Sequence, residues 1–187
     1  MENGHRRKKQ PDLVRERILE AAAEASAELD TNIISLGDVA RRAGVTKGGL
    51  LHHFPSKRIL IEALYRRLLE RFDQQLDEAM AHDPNPRGRF TRAYVRVTTA
   101  LSDDDDSCRL AGSASLAMST DQALSDQWKV WLEEKLRLHG ESLGSPIGRL
   151  IRYTADGIWL ESFFSTPPET QARAEVIGRL LDLTETI

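Results

Sequence analysis

The sequence predicts an all-α fold of about nine helices, with a three-helix, helix-turn-helix head near the N-terminus and a C-terminal helical bundle. Three observations predict it. Apolar residues recur at a period of 3.6 nearly throughout. No stretch alternates with strand period and no segment repeats. Prolines fall between the periodic stretches rather than inside them.

Val14, Ile18, Ala22, Ala25 and Leu29 form one stripe and place a first helix over about Asp12–Leu29. Ser35 opens a short second helix as a cap, with Asp38 three residues on and Leu36, Val39, Ala40 and Ala43 as its buried face. Gly44 stops it. Thr46 caps a third helix that runs to about His53, and Pro55–Ser56 begins a fourth. That fourth helix carries Ile59, Leu60, Ala63, Leu64, Leu68, Phe72 and Leu76 on one side. Asp83-Pro84-Asn85-Pro86-Arg87-Gly88 reads as a linker, and five further helices follow over about 88–101, 108–119, 121–139, 146–164 and 169–185. Residues 1–57 then make an arm and reading head, and residues 58–187 a bundle that the fourth helix joins to it.

Composition narrows the function. At 187 residues, 40% hydrophobic and 29% charged, the chain is globular. No apolar run reaches the ~20 residues that cross a bilayer, so no membrane partner is expected. A single cysteine, Cys108, fits a reducing cytoplasm. The net charge of −3 is uneven: residues 1–58 hold 11 Lys/Arg and 8 Asp/Glu, the remainder 15 and 21. A basic head on an acidic body suits a nucleic-acid surface, although Arg6, Arg7, Lys8 and Lys9 read equally well as a solvated tail. No nucleophile–base pair, phosphate loop or Cys/His cluster is present, so neither an enzyme nor a cofactor is expected.

The third helix is unusual for a purely structural one. Gly48 and Gly49 each cost roughly 1 kcal/mol relative to alanine in a helix interior. That cost makes sense where bare backbone must lie against something, such as a DNA strand in a major groove. Leu50 and Phe54 keep an inward face, which leaves Lys47, Gly48 and His52 outward.

The run Ser35-Leu36-Gly37-Asp38-Val39-Ala40-Arg41-Arg42-Ala43-Gly44-Val45-Thr46-Lys47-Gly48-Gly49-Leu50, continued by Leu51-His52-His53-Phe54-Pro55-Ser56-Lys57, resembles the tetracycline-repressor (TetR) family of bacterial transcription regulators. The resemblance implies a homodimer on double-stranded operator DNA. It assigns DNA contact to Thr46, Lys47, Gly48, His52, His53 and Lys57, with Lys47 near base edges and Lys57 on phosphate; Ser35 and Gly49, in the same run, are expected at the DNA surface as well. Leu51 departs from the family, which usually has tyrosine there, so one phosphate contact is expected to be missing.

Other residues have two readings. His52 and His53 are adjacent and project about 100° apart, so they cannot chelate a metal, and no metal site is expected. His53 fits packing against the first helix as well as phosphate contact. Asp103–Asp106 fits the favourable N-terminal end of a helix better than a cation site. In the C-terminal half, Tyr94, Met118, Trp128, Trp131 and Trp159 are core-like at helical spacing. Beside Asp156 and Glu161 they also have the composition of a pocket for a flat hydrophobic molecule or an aromatic cation. The last helix offers Ala172, Val176, Leu180 and Leu183 as an apolar stripe, and Gly157 on the preceding helix permits a close crossing. These residues are the expected dimer seam. An architectural DNA binder without a ligand, and a helical interaction module with a degenerate head, remain the rival readings.

Overall fold

The computed structural model describes residues 11–28, 35–101, 121–161 and 170–187. Among them lie eight α-helices and no strand: α1 (Pro11–Glu28), α2 (Leu36–Arg42), α3 (Lys47–His53), α4 (Lys57–Ala81), α5 (Arg89–Leu101), α6 (Gln122–Leu138), α7 (Pro146–Glu161) and α8 (Thr170–Leu183). A 3-10 turn, Thr184–Thr186, closes the last helix. The helix expected over about 108–119, with Met118 and Cys108, lies outside the described residues, as does the Asp103–Asp106 run. No described helix is long and apolar enough to cross a membrane.

The chain divides into two compact units, Met1–Leu64 and Tyr65–Ile187. In the first, Ile18, Leu19, Ala22 and Ala25 of α1 are buried together with Val39, Ala40, Leu50, Phe54, Leu60 and Leu64. Each large apolar side chain buried in this way contributes roughly 1.5–3 kcal/mol. That burial outweighs the poor propensity of two seven-residue helices, which could not persist alone.

Local chemistry sets the ends of those helices. The Asp38 N–H donates to Ser35 Oγ at 3.0 Å and caps α2. The Asp38 carboxylate turns to Arg41 and to Arg42, whose Nε lies 2.9 Å away. Hydrogen bonds from these two guanidiniums hold its carboxyl below the usual range.

In the second unit α5 is the central element. Phe90, Ala93, Tyr94 and Val95 are buried among Leu76 and Met80 of α4, Leu136 of α6, Ile151 and Ala155 of α7 and Leu180 of α8. The N-terminus of α5 is held from a distance. The carboxylate of Glu141 accepts from the N–H groups of Phe90 at 2.9 Å and Thr91 at 3.2 Å, and from the Thr91 hydroxyl at 2.5 Å. It satisfies donors that the helix leaves open and places negative charge at the favourable end of its dipole. The buried Arg152 on α7 donates to the same Thr91 hydroxyl at 3.1 Å.

The Asp83–Gly88 stretch is a built corner rather than a plain linker. Arg92 Nε meets Asp83 Oδ2 at 2.5 Å. The rest of its guanidinium donates to Thr184 Oγ1 at 2.9 Å and to the carbonyls of Asn85 and Arg87 at 2.9 and 3.1 Å. Gly88 has φ 65°, and a Cβ there would lie 2.2 Å from the Thr184 carbonyl oxygen. Only glycine fits where the backbone turns left-handed and another carbonyl comes this close.

Candidate functional site

The turn between α2 and α3 is a Schellman motif. The Val45 N–H donates to the Ala40 carbonyl at 2.9 Å and the Gly44 N–H to that of Arg41 at 3.2 Å, with Gly44 at φ 64°. Thr46 then restarts the chain in extended conformation, its hydroxyl accepting from the Gly49 N–H at 3.0 Å. On α3, Leu50 and Phe54 are buried, whereas Thr46, Lys47, Gly48 and His52 are exposed. Gly49, His53 and Lys57 are half-buried and Ser35 is exposed.

The two glycines of α3 have different reasons to be there. A Cβ on Gly49 would sit 3.2 Å from Thr46 Oγ1, so this glycine leaves room for the cap. A Cβ on Gly48 would meet nothing nearer than 4.0 Å. Among the described residues nothing requires glycine at 48, where it costs roughly 1 kcal/mol relative to alanine in a helix interior. The His52 and His53 rings meet edge to face with centroids 5.5 Å apart. Among the described residues no group of three or more His, Cys, Asp or Glu is placed to hold a metal ion.

In the second unit the structure brings together four of the seven residues expected near a ligand. Tyr94 Oη donates to Asp156 Oδ1 at 2.6 Å. The rings of Tyr94 and Trp128 are 6.5 Å apart, and those of Trp128 and Trp131 are 4.9 Å apart. Phe72, expected only as core, touches all three at 5.7–6.1 Å. Burial pushes the Asp156 carboxyl up to about 6, against the Tyr94 hydrogen bond and the charge of Arg152. Burial and the neighbouring Asp156 raise the Tyr94 phenol well above its ordinary value. Trp159 is half-buried three residues further along α7, Glu161 is exposed, and Met118 is outside the described residues. Glu141 and Arg152, which complete the polar side of this region, were not singled out in the sequence.

Comparison with known proteins decides the family. A model for bacterial regulatory proteins of the tetR family matches residues 18–64, and one for the tetracyclin repressor-like C-terminal domain matches residues 88–185. The chain belongs to the TetR family. It is a helix-turn-helix transcription regulator, and the family is one of regulators rather than enzymes. It is 25% identical over 183 residues to the HTH-type transcriptional regulator BetI of Escherichia coli, covering 88% of this chain and 90% of that one. It is 32% identical over 92 residues to the HTH-type transcriptional repressor KstR2 of Mycolicibacterium smegmatis, covering 47% and 45%. Its fold matches a putative transcriptional regulator from Pseudomonas aeruginosa PAO1 with a TM-score of 0.73 at 18% identity, over 98% and 97% of the two chains. It also matches the multidrug binding protein EbrR complexed with ethidium, at a TM-score of 0.69 and 24% identity over 92% and 99%.

The residues expected at a TetR dimer seam separate in the structure. Gly157, Ala172 and Val176 are exposed, and the space around Gly157 is open. Leu180 is 5% exposed within the core of its own unit, and Leu183 packs against that core. The stripe on α8 therefore faces two ways. The sequence reading missed the outer face of α7, where Ile147, Leu150, Tyr153 and Leu160 are all exposed. Their spacing, with Gly157, was visible as a period, but it reads equally as a buried face.

Proposed function

We propose that this TetR-family regulator is a homodimeric repressor that a small hydrophobic molecule releases from its operator. The observation that carries the reading is the exposed face of α3. Thr46, Lys47 and His52 surround Gly48, a glycine with no reason inside the described chain. Lys47 reads base edges or the adjacent phosphate and Lys57 grips phosphate, with Ser35, Thr46, Gly49, His52 and His53 as supporting contacts. One such helix spans too few base pairs for specificity. Two helices related by a two-fold axis, about 34–36 Å apart, reach successive major-groove turns. The exposed apolar residues of α7, with Gly157, Ala172 and Val176, are the surface that pairs the subunits.

For the ligand we infer a flat hydrophobic molecule seated by Tyr94, Trp128 and Trp131, with Asp156 as counter-charge when it is a cation; Trp159 and Glu161, further along α7, extend the same site. A carboxylate beside electron-rich rings favours cations through charge and cation–π attraction. EbrR, whose fold is similar, is a multidrug binding protein complexed with ethidium. A second reading, a DNA binder without a ligand, is favoured by the close contact of the Trp128 and Trp131 rings, which suits a filled core. Titration with ethidium, reading tryptophan emission and operator binding together, separates the two. Quenching with loss of operator binding supports the cation site. If a neutral or acidic compound releases DNA and ethidium does not, the cation assignment fails. If no compound from a chemically broad panel releases DNA, the ligand-free reading stands.

A further inference from the structure

Two arginines of α1 bracket the recognition helix α3: one reaches the end of α2, where the turn into α3 begins, and the other the residue that ends α3. Arg17 Nη2 donates to the Ala43 carbonyl at 2.6 Å, in the turn that leads into α3. The same nitrogen lies 2.8 Å from where a Cβ on Gly44 would stand, so the guanidinium packs against the bare face of that glycine. Arg15 places its guanidinium carbon 5.1 Å from the centre of the Phe54 ring, and Phe54 is the residue that ends α3. Residues two apart on a helix project about 200° apart, which lets neighbouring arginines diverge toward separate targets.

Arginines on a DNA-binding head invite the reading that they touch phosphate. The face of α1 argues against it. Asp12, Glu16, Glu20 and Glu24 recur every fourth residue and all are exposed, forming an acidic stripe along the helix. A stripe of that sign repels a DNA backbone, whose binding depends on cations displacing counterions.

We propose that Arg15 and Arg17 are positioning residues for operator recognition. Through them α1 grips the end of α2, where the turn into α3 begins, and the residue that ends α3, and this grip sets how Thr46, Lys47 and Gly48 are presented to the groove. Neither arginine needs to meet DNA. The inference rests on DNA reading by α3 and is independent of any ligand.

The test uses the full chain, a duplex selected by the wild-type protein from a random pool, and a random-sequence duplex of equal length. Arg17→Ala should lower affinity for the selected duplex about tenfold, the scale of roughly 1.4 kcal/mol. Affinity for random DNA, and the slope of log affinity against log salt, should stay as in wild type. Arg17→Lys keeps one donor and should recover part of the loss; it serves as the readout if the alanine variant does not fold. Arg15→Leu keeps apolar contact with Phe54 but loses the cation, and should show a smaller loss of the same selective kind. Two results overturn the proposal. One is an equal loss on both duplexes with a salt slope shallower by about 0.9, the mark of a lost phosphate contact. The other is wild-type discrimination in the folded Arg17 and Arg15 variants.

Discussion

Arg92 and Asp83 form an ion pair, Nε to Oδ2 at 2.5 Å, with both side chains almost fully buried. Arg92 also holds Thr184 and the carbonyls of Asn85 and Arg87, so one guanidinium ties the start of α5 to the α4–α5 corner and to the end of α8. Removing one partner of such a pair leaves an uncompensated buried charge, which costs about 3–5 kcal/mol. Asp83→Ala should therefore destabilise the second unit on that scale in urea denaturation. The hydrogen bond from Arg92 holds the Asp83 carboxyl below its ordinary 3.8. A depressed folded-state value stabilises the protein above the unfolded value and loses that contribution as pH falls through the folded one. Wild type should thus lose stability in acid below about pH 4, a fall that Asp83→Ala lacks in this part. A variant as stable as wild type at pH 7 would remove the pair from the account of the corner.

Asp156 gives the opposite pH dependence. Its carboxyl is raised from 3.8 to about 6, chiefly by burial. Between those values the folded state keeps a proton that the unfolded state has lost, so this group's contribution falls as pH rises from about 4 to about 6 and is level above. The cost of keeping it ionised at pH 7.5 is on the order of 2–3 kcal/mol, from 1.36 kcal/mol per pK unit. Asp156→Asn still accepts the Tyr94 hydrogen bond and should raise stability at pH 7.5 by up to about that amount. Tyr94→Phe removes a donor that favours the ionised form, and should move the Asp156 titration, followed by NMR, to higher pH. Movement to lower pH would show that the hydrogen bond favours the protonated acid instead.

The parts of the molecule that were legible in the sequence are those whose partners lie within one helical turn. Ser35 and Thr46 cap donors three residues on, and Gly44 and Val45 close a motif on carbonyls three and five residues back. Leu50 and Phe54 follow from the helical period. Glu141 caps a helix that begins some fifty residues earlier, and Arg17 reaches a carbonyl twenty-six residues ahead. No periodicity encodes such pairings, because a polar side chain carries no record of which distant group it will satisfy. The burial of Leu180 was hidden for a different reason. Val176 and Leu180 stand four residues apart, so a pattern reading places them on one face, whereas the helix turns one outward and the other into its own core.

Lys47 and Lys57 should separate specificity from affinity. Lys47 is exposed on α3, whereas Lys57 starts α4, whose first turn is capped by Ser56 Oγ accepting from the Ile59 N–H at 3.2 Å. Lys47→Ala should cost on the order of 1–3 kcal/mol and relax sequence preference. Lys57→Ala should weaken all sequences alike and make the salt slope shallower by about one. Binding of both variants to selected and random duplexes across a salt series is the measurement. Wild-type affinity in both variants would place the reading surface elsewhere.

The dimer seam is tested by choosing residues according to the side they face. Leu150 and Val176 are 53% and 42% exposed, which leaves each side chain free to pair with a second copy of the chain. A charge placed at either position has water around it in an isolated subunit, so Leu150→Asp and Val176→Asp should leave the fold intact. In a two-fold interface the same carboxylate meets its own symmetry mate's surface and must be desolvated twice over, once in each subunit. Both variants should therefore sediment as folded monomers with unchanged helical circular dichroism, and should bind operator weakly because a single α3 no longer has its partner one helical turn away. Leu180→Asp is the contrasting case. At 5% exposure its carboxylate would be buried in the apolar core of the second unit, so this variant should lose helical signal and melt early rather than dissociate cleanly. A dimer that survives both Leu150→Asp and Val176→Asp would move the interface off α7 and α8. A folded monomer from Leu180→Asp would mean that this residue turns outward after all.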